Sequence, residues 1–458
     1  MASVFSRLFD TEDTHIDTCI SLAMKPRPTA GFTVQTKQLP GYRFVDLFNA
    51  VEAYAAARSG HRKVETEHQE DLNSILHSTR NDWADRRIKR ATSTAWPVGP
   101  DEQSYFPVDC FWTVPGNDAA GRVVLRVRYI AYMQQAELEV GCEDQEAGEA
   151  CLNRIVAWSG EHSIYRNRIL QLSFEAGTKD EYGDVESAER LRVLFRPDET
   201  VGDDDIVIDD NVLQILKRNV IDLHKRREIL KQHNVPVRRG VLLYGPPGTG
   251  KTYACRYLCG KLTETTRIMV TGTALTQVGA IFSLARLLQP ALLILEDVDL
   301  IFASREINLY STALGDLLDQ MDGLRPYEDI GVILTTNAID RLEAAIKDRP
   351  GRVSQCIYMA PPNRKLRQRY LKRYLRDYDT SKLTDNGLAD QSDGATQAFL
   401  KEWVHRSVQI ATERVENGAD VLELEDSDFK LAMDEMKQFS EGTAGQIIGF
   451  FSPSAEKD

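Results

Sequence analysis

No run of apolar residues in this 458-residue sequence approaches the ~18 that a membrane-spanning helix needs, so no span is expected. Residues 1–25 include Asp10, Glu12, Asp13 and Asp17 and lack the basic and apolar blocks of a signal peptide. The seven cysteines, at 19, 110, 142, 151, 255, 259 and 356, form no Cys-x-x-Cys pair. Their odd number fits free thiols better than a disulfide framework. Cys255 and Cys259 stand one helical turn apart, but with no second ligand pair they read as helix packing rather than as a zinc site. A cytoplasmic location is expected by elimination. Positive charge is scarce as well: 56 Lys and Arg against 69 Asp and Glu leave a formal net charge of −13, which repels a polyanion. Basic runs such as Arg86-Arg87-Ile88-Lys89-Arg90 are short and read as solvated helix faces, so nucleic acid is not an expected partner.

What is present is an ordinary globular composition, 42% hydrophobic and 27% charged, in a chain too long for one core. Residues 1–197 mix patterns and predict an α+β domain without an enzyme motif. Phe44–Arg58 has helical spacing, and 123–130 and 136–140 alternate like strands. Arg126 and Arg128 on one strand could face Glu137 and Glu139 on the other, although Tyr132-Met133 supplies no turn chemistry. Further strands are expected at 168–174 and 191–195. Residues 198–210 are dense in Asp, so self-repulsion and exposure predict an acidic linker there. A helix is expected over 211–232. Within a subdomain expected over 211–361, strands and helices alternate from Arg239 to Pro361, with strands at 241–244, 267–271, 291–296, 330–335 and 355–359. This spacing predicts an α/β, doubly wound parallel sheet with ligands at the carboxyl ends of its strands. Residues 362–458 turn helical and polar, with helices at 363–377, 396–416 and 426–438, and predict a small lid subdomain and a tail.

The chemistry is concentrated in four segments. Gly245-Pro246-Pro247-Gly248-Thr249-Gly250-Lys251-Thr252 follows the apolar run Val241–Tyr244 and opens a helix. Glycines there let backbone N–H groups turn around phosphate oxygens, and the helix N-terminus adds partial positive charge. Lys251 suits the β- and γ-phosphates and the Thr252 hydroxyl suits Mg²⁺, so a nucleoside triphosphate is the expected ligand. Leu292–Asp299 is a buried strand ending in Glu296, Asp297 and Asp299, carboxylates that could order Mg²⁺ and polarise a water. Val332–Asn337 ends in a neutral amide suited to orienting water beside the γ-phosphate. Asp348-Arg349-Pro350-Gly351-Arg352 sets two guanidinium groups on a turn, suited to charge on a transferring phosphoryl group.

In this order and spacing the four segments resemble the AAA clade of the AAA+ ATPases over residues 205–450. The resemblance implies an Mg²⁺-dependent ATPase with a P-loop module and a helical lid. By it, Gly245–Thr252 is the Walker A loop, Glu296 and Asp297 the Walker B pair with Glu296 and Thr252 at the metal, and Asn337 the sensor-1 residue. Arg349 and Arg352 match arginine fingers that reach a neighbouring subunit's nucleotide, which implies a ring, normally a hexamer. Asp322-Gly323-Leu324 resembles an inter-subunit signalling turn, and Gly442-Thr443-Ala444-Gly445 the glycine-rich sensor-2 region. Walker B usually reads Asp-Glu; the Glu-Asp order here resembles a subgroup that includes the mitochondrial Rieske-protein translocase. By register Asp297 takes the position of the catalytic base. In the first pore loop Gln277 of Thr276-Gln277-Val278-Gly279 stands where an aromatic is usual, so threading of unfolded chains is not expected. The function implied is a protein-remodelling, chaperone-like ATPase whose N-terminal domain holds the protein substrate. A nucleotide-controlled switch or scaffold with slow hydrolysis is the alternative, and a nucleic-acid motor or clamp loader a weaker one.

Overall fold

The structure is a computed structural model. It describes residues 31–197 and 201–438 together with Ile16 and Ile20, except for 69, 78–88, 90, 117–120, 176–177, 180–184, 188–189, 238, 303–308, 341–352, 385–386 and 415–421. Two compact units divide between Pro197 and Asp198. Along the chain the first contains β1 (Thr33–Pro40), α1 (Phe44–Ala56), β2 (Arg62–Glu65), α2 (Leu72–His77), β3 (Ser93–Pro97), β4 (Gln103–Pro107) and β5 (Asp109–Val114). There follow β6 (Val123–Ile130), β7 (Gln135–Cys142), α3 (Gln145–Glu161), β8 (Ile169–Glu175), β9 (Thr178–Lys179), β10 (Val185–Ser187) and β11 (Arg190–Phe195).

The central antiparallel sheet of this unit has the order β1-β7-β6-β5-β2. On one face, Phe44, Phe48 and Val51 of α1 and Cys151, Leu152 and Ile155 of α3 pack against Trp112, Leu125, Val127 and Leu138. On the other, Leu72, Ile75 and Leu76 of α2 cover Phe111 and Val124. β6 and β7 form a hairpin in which Arg126 faces Glu139 and Arg128 faces Glu137. The turn chemistry that Tyr132-Met133 lacks comes from Gln134, which adopts φ +53° and returns its N–H to the Ala131 carbonyl. Arg126 is wholly buried. Its guanidinium donates to Asp109 at 2.8 and 2.6 Å, to Glu139 at 3.2 Å, and to the carbonyls of His68 and Glu70. A buried cation is tolerable only with every N–H directed at an acceptor in this way.

The second unit begins with α4 (Asp210–Leu216) and α5 (Arg227–Gln232). The single helix expected over 211–232 breaks at Arg226: the chain stays helical from α4 through a wide π turn at Lys217–Asp222 and on to Lys225, and Arg226, at φ −102° and ψ 11°, separates this run from α5. The extra residue per turn lets the consecutive Val220 and Ile221 both be buried. The acidic stretch also departs from expectation. Ile206, Val207 and Ile208 are buried, and the carboxylates around them are paired rather than repelling one another. Asp203 meets Lys261 at 2.6 Å, Asp205 meets Arg373 at 3.0 Å and Asp210 meets Arg369 at 3.0 Å. Cations from elements far along the chain, which no local pattern announces, turn a self-repelling linker into a fixed strap.

The strap precedes β12 (Arg239–Tyr244), α6 (Lys251–Lys261), β13 (Thr266–Val270), α7 (Val278–Leu287), β14 (Ala291–Leu295), α8 (Leu309–Asp322), β15 (Ile330–Thr336) and β16 (Gln355–Tyr358). The five strands are parallel and lie in the order β13-β14-β15-β12-β16. β14 is apolar throughout, and β12, β13 and β15 carry the apolar stretches Val241–Leu243, Ile268–Val270 and Val332–Leu334, as strands covered on both faces require, whereas β16 at the edge of the sheet buries only Ile357. This is the expected α/β P-loop fold. Because β12 lies beside β15 and not beside β13, the carboxyl ends of β12, β14 and β15 open onto one crevice. The lid consists of α9 (Arg364–Tyr374), β17 (Asp379–Lys382), α10 (Gly387–Gln391), α11 (Gln397–Thr412), β18 (Glu423–Glu425) and α12 (Asp426–Gln438). Its core is built on Trp403, Phe399, Leu400 and Phe429, and Val207 of the strap joins it. Among the described residues no helix is long and apolar enough to cross a membrane.

Candidate active site

The loop after β12 needs its glycines. Gly245, Gly248 and Gly250 have φ of +148°, +78° and +95°, a region that side chains disfavour. At Gly245 there is no room either, since a Cβ would stand 2.4 Å from the Met359 carbonyl oxygen. Thr249 ties the turn by donating its hydroxyl to the Pro246 carbonyl at 2.9 Å. Gly250 caps α6, whose first residues are Lys251 and Thr252. The Lys251 ammonium is largely buried and donates to the carbonyls of Gly245 and Pro246 at 2.7 and 2.9 Å. Burial lowers its pKa to about 8, against the opposing pull of Asp297 and Asp299. An anion brought to the loop would restore the charge that burial disfavours.

β14 delivers the carboxylates. Asp297 sits in the left-handed region at φ +51°, a conformation costing a non-glycine residue on the order of 1–3 kcal/mol unless its surroundings enforce it. They do: its N–H donates to the Thr335 hydroxyl at 2.9 Å, and its Oδ1 accepts from the Asn337 side-chain amide at 3.1 Å. Asp299 in turn accepts from the Thr336 hydroxyl at 2.9 Å and from the Asn337 N–H at 3.1 Å. The ends of β14 and β15 are thus laced together through side chains. Glu296 is 8% exposed, and its Oε1 is buried without a hydrogen-bond partner. A buried carboxylate oxygen of this kind fits a cation or a cation's water.

Lys251, Thr252, Asp297 and Asn337 line one cleft of about 420 Å³, together with Pro247, Gly248 and Gly250. Glu296 is not among the residues that line it. The same cleft is closed by residues that the sequence did not single out: Tyr253 and Arg256 of α6, Tyr374 of α9, and Gln397, Ala398 and Lys401 of α11. The amino end of α11, capped by the Thr396 hydroxyl, lies on the phosphate loop. The Ala398 N–H donates to the Gly248 carbonyl at 3.1 Å, and Gln397 Oε1 would be 2.3 Å from a Cβ at Gly250. The expected lid contribution at 442–445 lies outside the described residues, as do both candidate fingers, Arg349 and Arg352. Asp322, the last residue of α8, and Gly323 after it are exposed, and Leu324 is buried. Gln277 is half-buried at the start of α7. Among the described residues no group of three or more His, Cys, Asp and Glu side chains is arranged to hold a metal. A cation here would therefore depend on a hydroxyl, one carboxylate and the phosphates it accompanies.

Residues 241–361 match the model of the "ATPase family associated with various cellular activities (AAA)". The segment is an AAA ATPase domain. The chain is 33% identical to a 26S proteasome regulatory subunit 8 homolog of Schizosaccharomyces pombe over 203 residues, 40% of this chain and 50% of that protein. It is 32% identical to the proteasome-activating nucleotidase of Thermococcus onnurineus over 229 residues, 46% and 56% respectively. With the ATP-dependent zinc metalloprotease FtsH 2 of a Thermoanaerobacter species it shares 31% over 215 residues, 44% and 42%. The chain thus spans about half the length of the curated relatives it matches. An AAA domain is an ATPase, and ATP and Mg²⁺ are the ligands its cleft is built for. Of the two residues expected at the ion, Thr252 lines the cleft, and Glu296 does not line it but has an unpartnered Oε1.

Proposed function

We propose that the protein is an ATP-driven, chaperone-like remodeller of other proteins that works as a ring, with the N-terminal unit holding the partner. The observation that carries the hydrolytic part is Asp297. It lines the phosphate cleft, is held in a strained backbone conformation by Thr335, and is aimed by the Asn337 amide. A carboxylate so fixed acts as the base that takes a proton from the attacking water, and Asn337 orients both. Mg²⁺ supplies charge neutralisation on the phosphates when bound. Lys251 and the loop N–H groups hold the β- and γ-phosphates. Arg349 and Arg352 act on the nucleotide of the adjacent subunit, which makes turnover a property of the ring. In this reading of the Glu-Asp order Glu296 belongs to the ion's surroundings and Asp297 to the water, which is supported by Asp297, and not Glu296, lining the cleft.

The remodelling part is supported by two features. The relatives named above include a proteasome regulatory subunit, a proteasome-activating nucleotidase and an ATP-dependent protease, names that point to protein turnover. Gln277, in place of an aromatic, would hold an extended chain by a hydrogen bond with a net contribution of about 0.5–1.5 kcal/mol. Movement of folded partners held by the N-terminal unit is favoured over gripping of unfolded ones. The test is Asp297→Asn with Asn337→Ala. Both keep the phosphate cradle and are expected to bind ATP while turnover falls about 10²–10⁴-fold. Full turnover in Asp297→Asn together with none in Glu296→Gln would assign the base to the other carboxylate. Removing residues 1–197 is expected to leave basal hydrolysis and to abolish its stimulation by a protein partner.

A further inference from the structure

The N-terminal unit contains a second cleft, of about 390 Å³, within the ~300–1,000 Å³ range of ligand-binding clefts. Every residue from Thr94 to Pro97 on β3 and from Leu191 to Leu194 on β11 lines it. A strand that turned its face to a cleft would contribute alternate residues, so consecutive lining means that both strands present their edges. Hydrogen-bond parity points the same way. β3 and β4 are antiparallel, and the bonds from Val98 to Glu102 and from Val108 to Thr92 place the even-numbered residues of β3 in the bonded pairs. Ala95 therefore turns its N–H and C=O away from β4. Pro97 and Pro107, which have no N–H to give, fall on the outward positions as this parity requires. In the β8/β11 pair the bond from Arg196 to Ile169 sets the same parity, so Leu191 and Val193 direct their backbone groups away from β8. Among the described residues neither edge has a partner strand on that side, and Ala95, Leu191 and Val193 make no other backbone bond.

The wall between the edges is aromatic. Trp96 meets Tyr129 edge-on at 4.8 Å, and Tyr42 meets Tyr165 at 6.3 Å. The indole N–H of Trp96 is buried without an acceptor. Among the described residues Arg192 is the one charged side chain in the lining. Unpaired edges and an orphaned donor call for a ligand with regularly spaced carbonyls and N–H groups, and the aromatic wall calls for uncharged side chains.

We propose that this cleft binds an extended, apolar segment of the partner polypeptide, added as a strand along the β3 and β11 edges. Its main chain exchanges hydrogen bonds with Ala95, Leu191 and Val193, one of its carbonyls accepts from the Trp96 indole, and an apolar side chain or proline lies against the rings. This deepens the reading that the N-terminal unit holds the partner and rests on it.

The probe is a set of peptides selected from a random dodecapeptide display library against the full-length chain. Amide exchange at Ala95, Leu191 and Val193 is expected to be fast in the protein alone and at least tenfold slower with a selected peptide. Ala95→Pro removes an outward N–H and leaves the β4 bonds in place, and is expected to weaken binding at least tenfold. Trp96→Phe keeps the ring and removes the donor, and is expected to weaken binding severalfold, which covers the case in which the proline variant does not fold. Protection of these amides in the protein alone would mean that a segment of this chain occupies the cleft, and would overturn the proposal. So would peptides indifferent to both variants, or variants that change assembly and not peptide binding. Peptide binding that follows the cleft while deletion of 1–197 leaves partner stimulation intact would uphold the cleft and remove the partner-holding role of the unit. Stimulation lost on that deletion but untouched by Ala95→Pro and Trp96→Phe would do the reverse.

Discussion

Lys251 is the residue whose chemistry is most sensitive to its surroundings. Burial holds its ammonium down to about 8, so in the free protein it begins to lose charge just above neutral pH. A bound triphosphate raises that pKa, and binding above pH ~8 must then take up a proton. ATP affinity is expected to be level below pH ~7 and to fall between about 8 and 10, by up to tenfold per unit. Calorimetric titration in buffers of different ionisation enthalpy measures the proton uptake directly; an affinity flat across that range would contradict the assignment. Folding carries the opposite sign. The unfolded chain keeps the lysine proton to its ordinary, higher pKa, so this group's contribution to stability rises with pH between about 8 and 10.5. Lys251→Ala removes the cation and is expected to lose nucleotide binding altogether.

At the scale of elements, α11 joins the lid to the phosphate loop. Its amino end is fixed by the Thr396 side chain, which caps the Phe399 N–H, and by the Ala398 bond to Gly248. Thr396 is fully buried and lies beside Gly248, so the cap and the loop share one contact. Thr396→Ala is expected to cost about 0.5–2 kcal/mol of stability and to lower Tm by several degrees. Nucleotide affinity should fall in the same variant, whereas Thr412→Ala at the exposed end of the helix should leave both unchanged. Differential scanning calorimetry with and without ATP separates the two effects: a loss of Tm with full affinity would mean that the cap serves the lid alone. The strap at 203–210 belongs to the same scale. The Tyr253 and Tyr257 hydroxyls donate to the Asp205 carbonyl and the Asp203 carboxylate, and the Tyr370 hydroxyl donates to the Val207 carbonyl. The helix that opens at the phosphate loop and the first lid helix are thereby both tied to one acidic segment.

For the whole molecule the expectation is that turnover requires neighbours. If Arg349 and Arg352 act across an interface, subunits carrying Arg349→Ala with Arg352→Ala are inactive in their own ring, and so are Lys251→Ala subunits. Mixing the two should partly restore ATPase, because some interfaces then pair an intact cleft with intact fingers. Steady-state turnover against mixing ratio reads this out; activity that never exceeds the sum of the separate variants would count against fingers acting in trans. Gln277→Ala is expected to change neither turnover nor partner remodelling by more than about twofold, since its hold on a chain is one amide's.

The sequence alone determined what consecutive residues decide. The phosphate loop is a backbone feature of eight neighbouring residues, and the strands that end in Glu296-Asp297 and in Asn337 are short, apolar and bounded, so their places in the α/β sheet could be read directly. The glycine positions, the carboxylates and the sensor amide all fall in such runs. Only the tertiary structure decided which distant groups meet. That Asp297 takes the bond from Asn337, that Glu296 Oε1 is left unpartnered, and that Gln397 and Ala398 close over Gly248 and Gly250 depend on strand order and lid docking. The acidic strap shows the reason most clearly. Read locally its carboxylates repel and expose it; the cations of α6 and α9 pair with Asp203, Asp205 and Asp210 and let Ile206–Ile208 be buried. A charge's contribution depends on what stands within a few ångströms of it, and the fold brings Lys261, Arg369 and Arg373 there from elsewhere in the chain.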